Sequence, residues 1–204
     1  MAEFNLQSVI ERYQSAFGYV GGNYAKVFGL MDTYNQDAKT SGSFISNFPL
    51  FTVQSVYFTD LKLTSAASGK VYYFGLKFEE KNYVCPPVML QFSRDKHVVE
   101  TQIDRSEIHV IEYFGLKPWE ISFQGILIDQ EDHHYPGDKV TKIAELFSQS
   151  GTFNVSGELF ANLGITEIFI NKDLKINHVE GYIDTVKFSF QAISTFPLEV
   201  IQRL

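Results

Sequence analysis

In this 204-residue chain, acid–base or metal chemistry is most readily sought in Glu131-Asp132-His133-His134-Tyr135-Pro136. An aspartate beside two imidazoles offers a general base and several metal ligands. A metal site, however, needs ligands that converge on one point. Adjacent side chains diverge, to opposite faces in a strand and around the axis in a helix. His133 and His134 therefore chelate one ion poorly, and the segment reads as a polar loop between a strand and a helix. His97, His109 and His178 stand alone, with His109 mid-strand in Ile108-His109-Val110. Carboxylates neighbour one another at Glu79-Glu80 and at Asp129 and Glu131, but no polar array around them marks a glycosidase pair. Ser156, in Asn154-Val155-Ser156-Gly157-Glu158, lacks the first glycine of a nucleophile elbow. Gly18, Gly21 and Gly22 precede no phosphate-binding helix and read as hinge glycines. Cys85 is the sole cysteine, which excludes an intramolecular disulfide and a multi-thiolate metal site. Its apolar setting, Val84-Cys85-Pro86-Pro87-Val88, predicts a buried, inert thiol. The expectation is a chain with no catalytic residue, no metal and no cofactor.

Composition narrows the classes further. The formal net charge is −7 and no cluster of Lys and Arg occurs, which argues against a phosphate-neutralising nucleic-acid binder. Spread-out acidity suits a soluble subunit, or one lining a channel through which DNA slides without sticking. Hydrophobic residues make up 45% and charged residues 20%, a globular balance. The longest apolar runs fall far short of a membrane span. Met1-Ala2-Glu3-Phe4 lacks the basic start and apolar core of a signal peptide, so the chain is expected to fold in a cytoplasm. Nineteen Phe and eleven Tyr beside one Trp suit pleated surfaces and extensive contacts between chains.

The elements that would position these residues follow from periodicity. Leu6, Val9, Ile10, Tyr13, Phe17 and Val20 recur at helical spacing, predicting a helix over 3–20 that buries its stripe on its own sheet or on a neighbour. Residues 21–50 show no clean period, apart from a short helix candidate at 24–31, and read as an aromatic-rich arm. Strands are predicted at 52–58, 61–65, 71–78, 88–92 and 98–103. Residues 107–114 and 119–129 are predicted to pair as a hairpin through Gly115-Leu116-Lys117-Pro118. In the second of these, Ile121 and Phe123 share a face, and Ile126 and Ile128 take up the apolar role after Gly125, as a bulge there would allow. Asp138 is a fit N-cap for a helix over 138–149 with the stripe Val140, Ile143, Ala144 and Phe147. A helical turn at 158–163 follows, then strands at 167–170 (extending toward 176) and 185–193, the latter with Val186, Phe188, Phe190 and Ala192 inward.

The sum is an α+β fold: a mostly antiparallel sandwich or barrel-like body at 51–204, with the main helix 138–149 packed on the sheet. Residues 1–50 form an N-terminal helix and arm. The aromatics of that arm, Tyr13, Phe17, Tyr24, Phe28, Phe44 and Phe48, are the candidate partner-contact residues.

Several runs in the C-terminal half carry a resemblance. They are Ile108-His109-Val110-Ile111-Glu112, Trp119 through Leu127, Tyr135-Pro136 opening a helix with Val140 and Ile143, Leu159 through Ile170, and Glu180-Gly181 before Val186–Ala192. In their order and spacing, residues 107–201 resemble a family of uncharacterised tail or baseplate proteins of phages and prophages of Bacteroidetes. Where that family carries a basic residue before the acidic one, this chain has Ile111-Glu112. The resemblance implies a non-enzymatic adaptor at the tail-tube end or baseplate hub, assembled in the host cytoplasm and resident in the virion tail. It implies rings, usually sixfold, contacting neighbouring tube or baseplate proteins, with DNA at most passing through the lumen and no membrane insertion. A tail tube protein is the near alternative. A tail-associated hydrolase built around Asp132 and His133, and a monomeric ligand-binding barrel, are the alternatives of other classes.

Overall fold

The last strand sets the frame. Along β10 (Tyr182–Thr195), Val186, Phe188, Phe190 and Ala192 are buried on one face, as their alternation with Lys187, Ser189 and Gln191 predicts. The computed structural model describes residues 6–18, 61–75, 80–102, 109–129 and 132–195. Before β10 come α1 (Leu6–Phe17), β1 (Leu61–Ser65), β2 (Val71–Phe74), β3 (Tyr83–Cys85), β4 (Met89–Ser93), β5 (Lys96–Gln102) and β6 (His109–Leu116). Then follow β7 (Glu120–Ile128), α2 (Gly137–Ser148), β8 (Phe153–Ser156), α3 (Glu158–Asn162) and β9 (Glu167–Val179). The expected strand 52–58, the helix at 24–31, and Tyr24, Phe28, Phe44 and Phe48 lie outside the described residues.

Eight strands form one sheet in the order β3-β2-β1-β8-β9-β10-β7-β4. Neighbours are antiparallel except β2 and β3, which run parallel. The edge strands β3 and β4 do not pair, so the sheet is not closed. One core nevertheless gathers residues from both ends of the strand order: Leu63, Phe74 and Val84 with Phe123, Phe188 and Phe190. Helices α2 and α3 fill it with Ile143, Leu146 and Phe160. Aromatic rings interlock there, Phe123 stacking on Phe190 with centroids 4.6 Å apart and Phe160 meeting Phe92 edge-on at 5.2 Å.

Three local expectations are corrected. Strands β6 and β7 do not form a hairpin with each other. β6 pairs back on β5 as a separate two-stranded ribbon, while β7 lies between β10 and β4. Gly115 through Pro118 is thus the place where one long ladder passes from sheet to ribbon, with the Lys117 N–H donating to Asp95 O across it at 2.9 Å. Second, no bulge occurs at Gly125, since the register from Ile128↔Thr185 to Glu120↔Ile193 is unbroken. Ile121, Phe123 and Leu127 face the main core, and Ile126 and Ile128 face a second cluster under α1. The strand changes phase because both its faces are covered. Third, α2 starts after Pro136 instead of at an Asp138 cap, and it buries Ile143 and Leu146 while Ala144 and Phe147 are exposed. Lys139 Nζ donates to Ile128 O, and Lys142 Nζ donates to Tyr83 O at 3.1 Å. These two bonds tie the helix to β7 and β3, and Val140 and Ile143 of the predicted stripe still pack on the core.

α1 docks on its own sheet. Val9, Tyr13 and Ala16 cover Ile126, Ile128 and Val179, and Gly18 ends the helix at φ 74°. Tyr13 is 1% exposed and donates its hydroxyl to Pro87 O at 2.5 Å, so the subunit itself engages this ring. Phe17 packs partly against the same cluster. No helix among the described residues is long and apolar enough to cross a membrane.

Candidate functional site

The β5–β6 ribbon concentrates what the rest of the surface lacks. Among the described residues, seven of the eleven exposed large hydrophobic side chains lie on it: Val98, Val99, Val110, Ile111, Tyr113, Phe114 and Leu116. Opposed residues of a ladder share a face. Val98 opposes Tyr113, Glu100 opposes Ile111, and Lys96 opposes Leu116, which makes one face. Val99, Thr101, Glu112 and Val110 make the other. A register shift between His97 and Val98 accommodates Phe114, whose ring meets His97 at 5.5 Å. Both faces therefore carry large apolar side chains open to solvent among polar ones, Ile111 being 67% exposed and Phe114 60%. Within the described residues no third strand joins the ribbon. A lone two-stranded ribbon is marginal in water, and contiguous exposed apolar surface marks a contact site.

The root of the ribbon is braced. Arg94 Nε donates to Lys117 O at 2.9 Å, and its guanidinium lies over the Trp119 ring at 5.3 Å. Ser194 Oγ accepts from the Trp119 N–H at 2.9 Å, and Trp119 meets Phe92 edge-on. The projection is thereby fixed to the main sheet at its base. The neighbouring outer face of that sheet is polar, a shallow groove lined by Gln91, Ser122, Gln124, Lys172 and Gln191.

The loop that could do chemistry leads elsewhere. Arg12 of α1 is buried against Asp184, its Nη2 2.5 Å from Oδ2 and its Nε donating to Thr185 Oγ1 at 2.8 Å. The β9–β10 ladder is irregular between Tyr182 and Val186, and there the consecutive Asp184 and Thr185 both turn to Arg12. The guanidinium also lies 4.8 Å from the Tyr182 ring centroid. His133, held at φ 52°, places Nδ1 2.8 Å from the same Asp184 Oδ2. Burial works against the Asp184 charge, but hydrogen bonds from Arg12, His133 and Thr185, with the guanidinium charge, hold its carboxyl below the usual carboxylate range.

A carboxylate that orients an imidazole is two thirds of a nucleophile–base–orienter set. Here Asp184 is shared with Arg12, and the Thr185 hydroxyl is buried and donates to Asp184 Oδ1 at 2.9 Å. His134 does not join: its Nδ1 lies 2.6 Å from Asp132 O and its N–H donates to Asp129 Oδ2 at 3.1 Å. No group of three or more His, Cys, Asp or Glu among the described residues could hold a metal ion. Cys85 is buried, and burial pushes its thiol well above the ordinary value. His178 meets the Tyr135 ring at 5.8 Å.

Sequence reading missed both the ribbon and the Arg12–Asp184 pair. The helical pattern puts Arg12 with Glu11 and Gln14 on the face away from the apolar stripe, yet it is buried, and its partner lies 172 residues away. The exposed apolar residues of β6 could not be told from core residues by type.

Comparison with known proteins adds a family. Residues 83–203 match the family described as "Domain of unknown function (DUF6046)". No curated protein matches the chain. A chain in the solved structure "Virion of native gene transfer agent (GTA) particle" is similar at 12% identity and a TM-score of 0.31, over 53% of this chain and 78% of that one.

Proposed function

The chain belongs to the DUF6046 family, a domain of unknown function, and we propose that it is a non-enzymatic structural subunit of a phage tail or a related injection machine. In this reading it is a ring-forming adaptor at the tail tube or baseplate, resident in the virion and assembled in the host cytoplasm. The observation that carries the reading is the β5–β6 ribbon, which exposes large apolar side chains on both faces and is braced at its root. A ring requires two different patches per copy that meet each other, and a projecting ribbon supplies one of them. The resemblance of residues 107–201 to tail and baseplate proteins supports the same class. Phe17, Tyr24, Phe28, Phe44 and Phe48 belong to this proposal as further neighbour contacts. Sixfold symmetry and a DNA-bearing lumen belong to it as well.

Electron microscopy of purified particles carrying this chain, with the subunit labelled, tests it. Density in one or a few rings at the tube end is expected. Many stacked rings would make it the tube protein instead. A free monomer absent from particles would overturn the assignment.

A further inference from the structure

One face of the β5–β6 ribbon is complementary to itself, and we propose that two copies of the chain pair through it, face to face with strands reversed, before they assemble. This rests on the reading of the ribbon as a contact between chains, and names what covers it in the unassembled subunit.

Three observations carry it. First, the exposed apolar side chains of that face form one strip. In the ladder Leu116 opposes Lys96, Tyr113 opposes Val98 and Ile111 opposes Glu100. Leu116, Tyr113, Val98 and Ile111 are all exposed. The exposed large hydrophobics elsewhere among the described residues, Tyr135, Phe147, Phe169 and Ile183, lie on different elements. On a second copy, the apolar strip that matches this one is therefore the same strip. Second, the charges along it are ordered for self-pairing. Lys96 stands at one end and Glu100 at the other, with the Val98–Tyr113 row between them. Turning a second ribbon over about that row lays Lys96 of each copy against Glu100 of the other. The same turn lays Leu116 of each against Ile111 of the other. The opposite face fails this test, because its middle row is Val99–Glu112. There the turn would set Glu112 against Glu112, and like charges brought together across an interface disfavour it.

Third, the size of the face suits a contact that is later exchanged. β5 has seven residues, so the face is about 24 Å long at a rise of about 3.4 Å per residue, and two strands wide. That is small beside the roughly 800 Å² per partner of a standard interface. The pair is therefore weak and dissociates readily, as a subunit that trades it for neighbours in a larger assembly requires. The brace at the root, Arg94 on Lys117 O and over Trp119, holds the strip in place before contact and lowers the ordering cost of pairing.

Sedimentation of the purified full-length chain over a range of concentrations tests the pairing. Wild type is expected to show a monomer–dimer equilibrium. Lys96→Glu and Glu100→Lys each weaken the dimer about tenfold, because either reversal opposes like charges at both ends of the pair. An equimolar mixture of the two variants recovers it, since opposite charges then meet at both ends. Glu112→Lys, on the other face, stays at the wild-type level. All of these side chains are exposed, so thermal melting of each variant should match wild type. A wild-type chain that is monomeric at every concentration overturns the pairing, and so does a mixture that dimerises no better than either variant alone. An equal loss from Glu112→Lys moves the contact to the other face and overturns it too. Monomers that still enter particles refute the pairing alone, whereas dimers that never enter particles refute the structural-subunit reading alone.

Discussion

The main sheet and the ribbon are two stretches of one ladder with opposite surroundings. β4 pairs with β7 from Met89↔Gln124 to Ser93↔Glu120, and β5 continues with β6 from Lys96↔Leu116 onward. On the sheet side, Ile121, Phe123, Ile126, Leu127 and Ile128 are all buried. On the ribbon side, every described residue of β5 is exposed, and Ile111, Tyr113 and Phe114 stand in solvent. The side-chain types hardly differ. What differs is partners, two flanking strands and two covering layers in one case and one strand in the other. Apolar strand sequence therefore specifies a demand for cover without saying which chain supplies it.

The largest expected effects break the covered side. Phe123→Ala removes a fully buried ring stacked on Phe190 and facing Phe160. It should cost about 3–5 kcal/mol, read as a lower denaturant midpoint. Arg12→Ala should cost a similar amount, about 3–5 kcal/mol, by leaving Asp184 buried without its counter-ion. Replacing both partners with apolar residues, as in R12M with D184L, should cost less, which separates the ion pair from packing. The Asp184 carboxyl lies below its ordinary range in the folded chain. Its contribution is thus fully present above the unfolded carboxylate range and is lost as pH falls through the lowered folded value. Amide exchange across residues 6–17 should rise in acid in the wild type, and Asp184→Asn should flatten that dependence.

A smaller effect sharpens the same side. A Cβ on Gly125 would lie 2.7 Å and 2.8 Å from two Phe188 ring atoms and 3.0 Å from Val88 Cγ1. Gly125→Ala should cost about 1–3 kcal/mol through overpacking, measured by thermal melting. A neutral result would show that the Phe188 ring can move aside.

These sites also show how much was legible beforehand. The inward set of β10, the strand β1 and the existence of α2 follow from local alternation and periodicity, and the structure agrees. Pairing was harder. Gly115 through Pro118 has the composition of a reversal, yet β7 lies between β10 and β4, strands remote in sequence or folded back from before the ribbon. Gly125 resembled a bulge because cover on a second face, by α1, mimics a phase shift in the pattern. His133 was correctly placed in a loop, but its tie to Asp184 and Arg12 joins three distant segments. Long-range polar pairs of that kind leave almost no trace in local sequence.

The smallest effect on stability should come from the ribbon, and there the comparison is tested most directly. Ile111→Ser with Tyr113→Ser removes two side chains that are 67% and 58% exposed on one ribbon face. Surface changes away from buried features shift stability by about 0.5 kcal/mol or less, so the melting temperature should barely move. Burial against a partner makes the opposite demand: each apolar side chain then carries about 25 cal/mol per Å² of covered area. Subunit association should therefore fall at least tenfold, read by sedimentation of wild-type and variant chains at matched concentration. Val99→Ser with Val110→Ser does the same on the other face. Loss of association from both pairs places the ribbon between two layers of the assembly, whereas loss from one pair places it flat against one. If neither pair changes association while the melting temperature falls by several degrees, the ribbon packs on its own chain, and the difference between the two regions is one of degree.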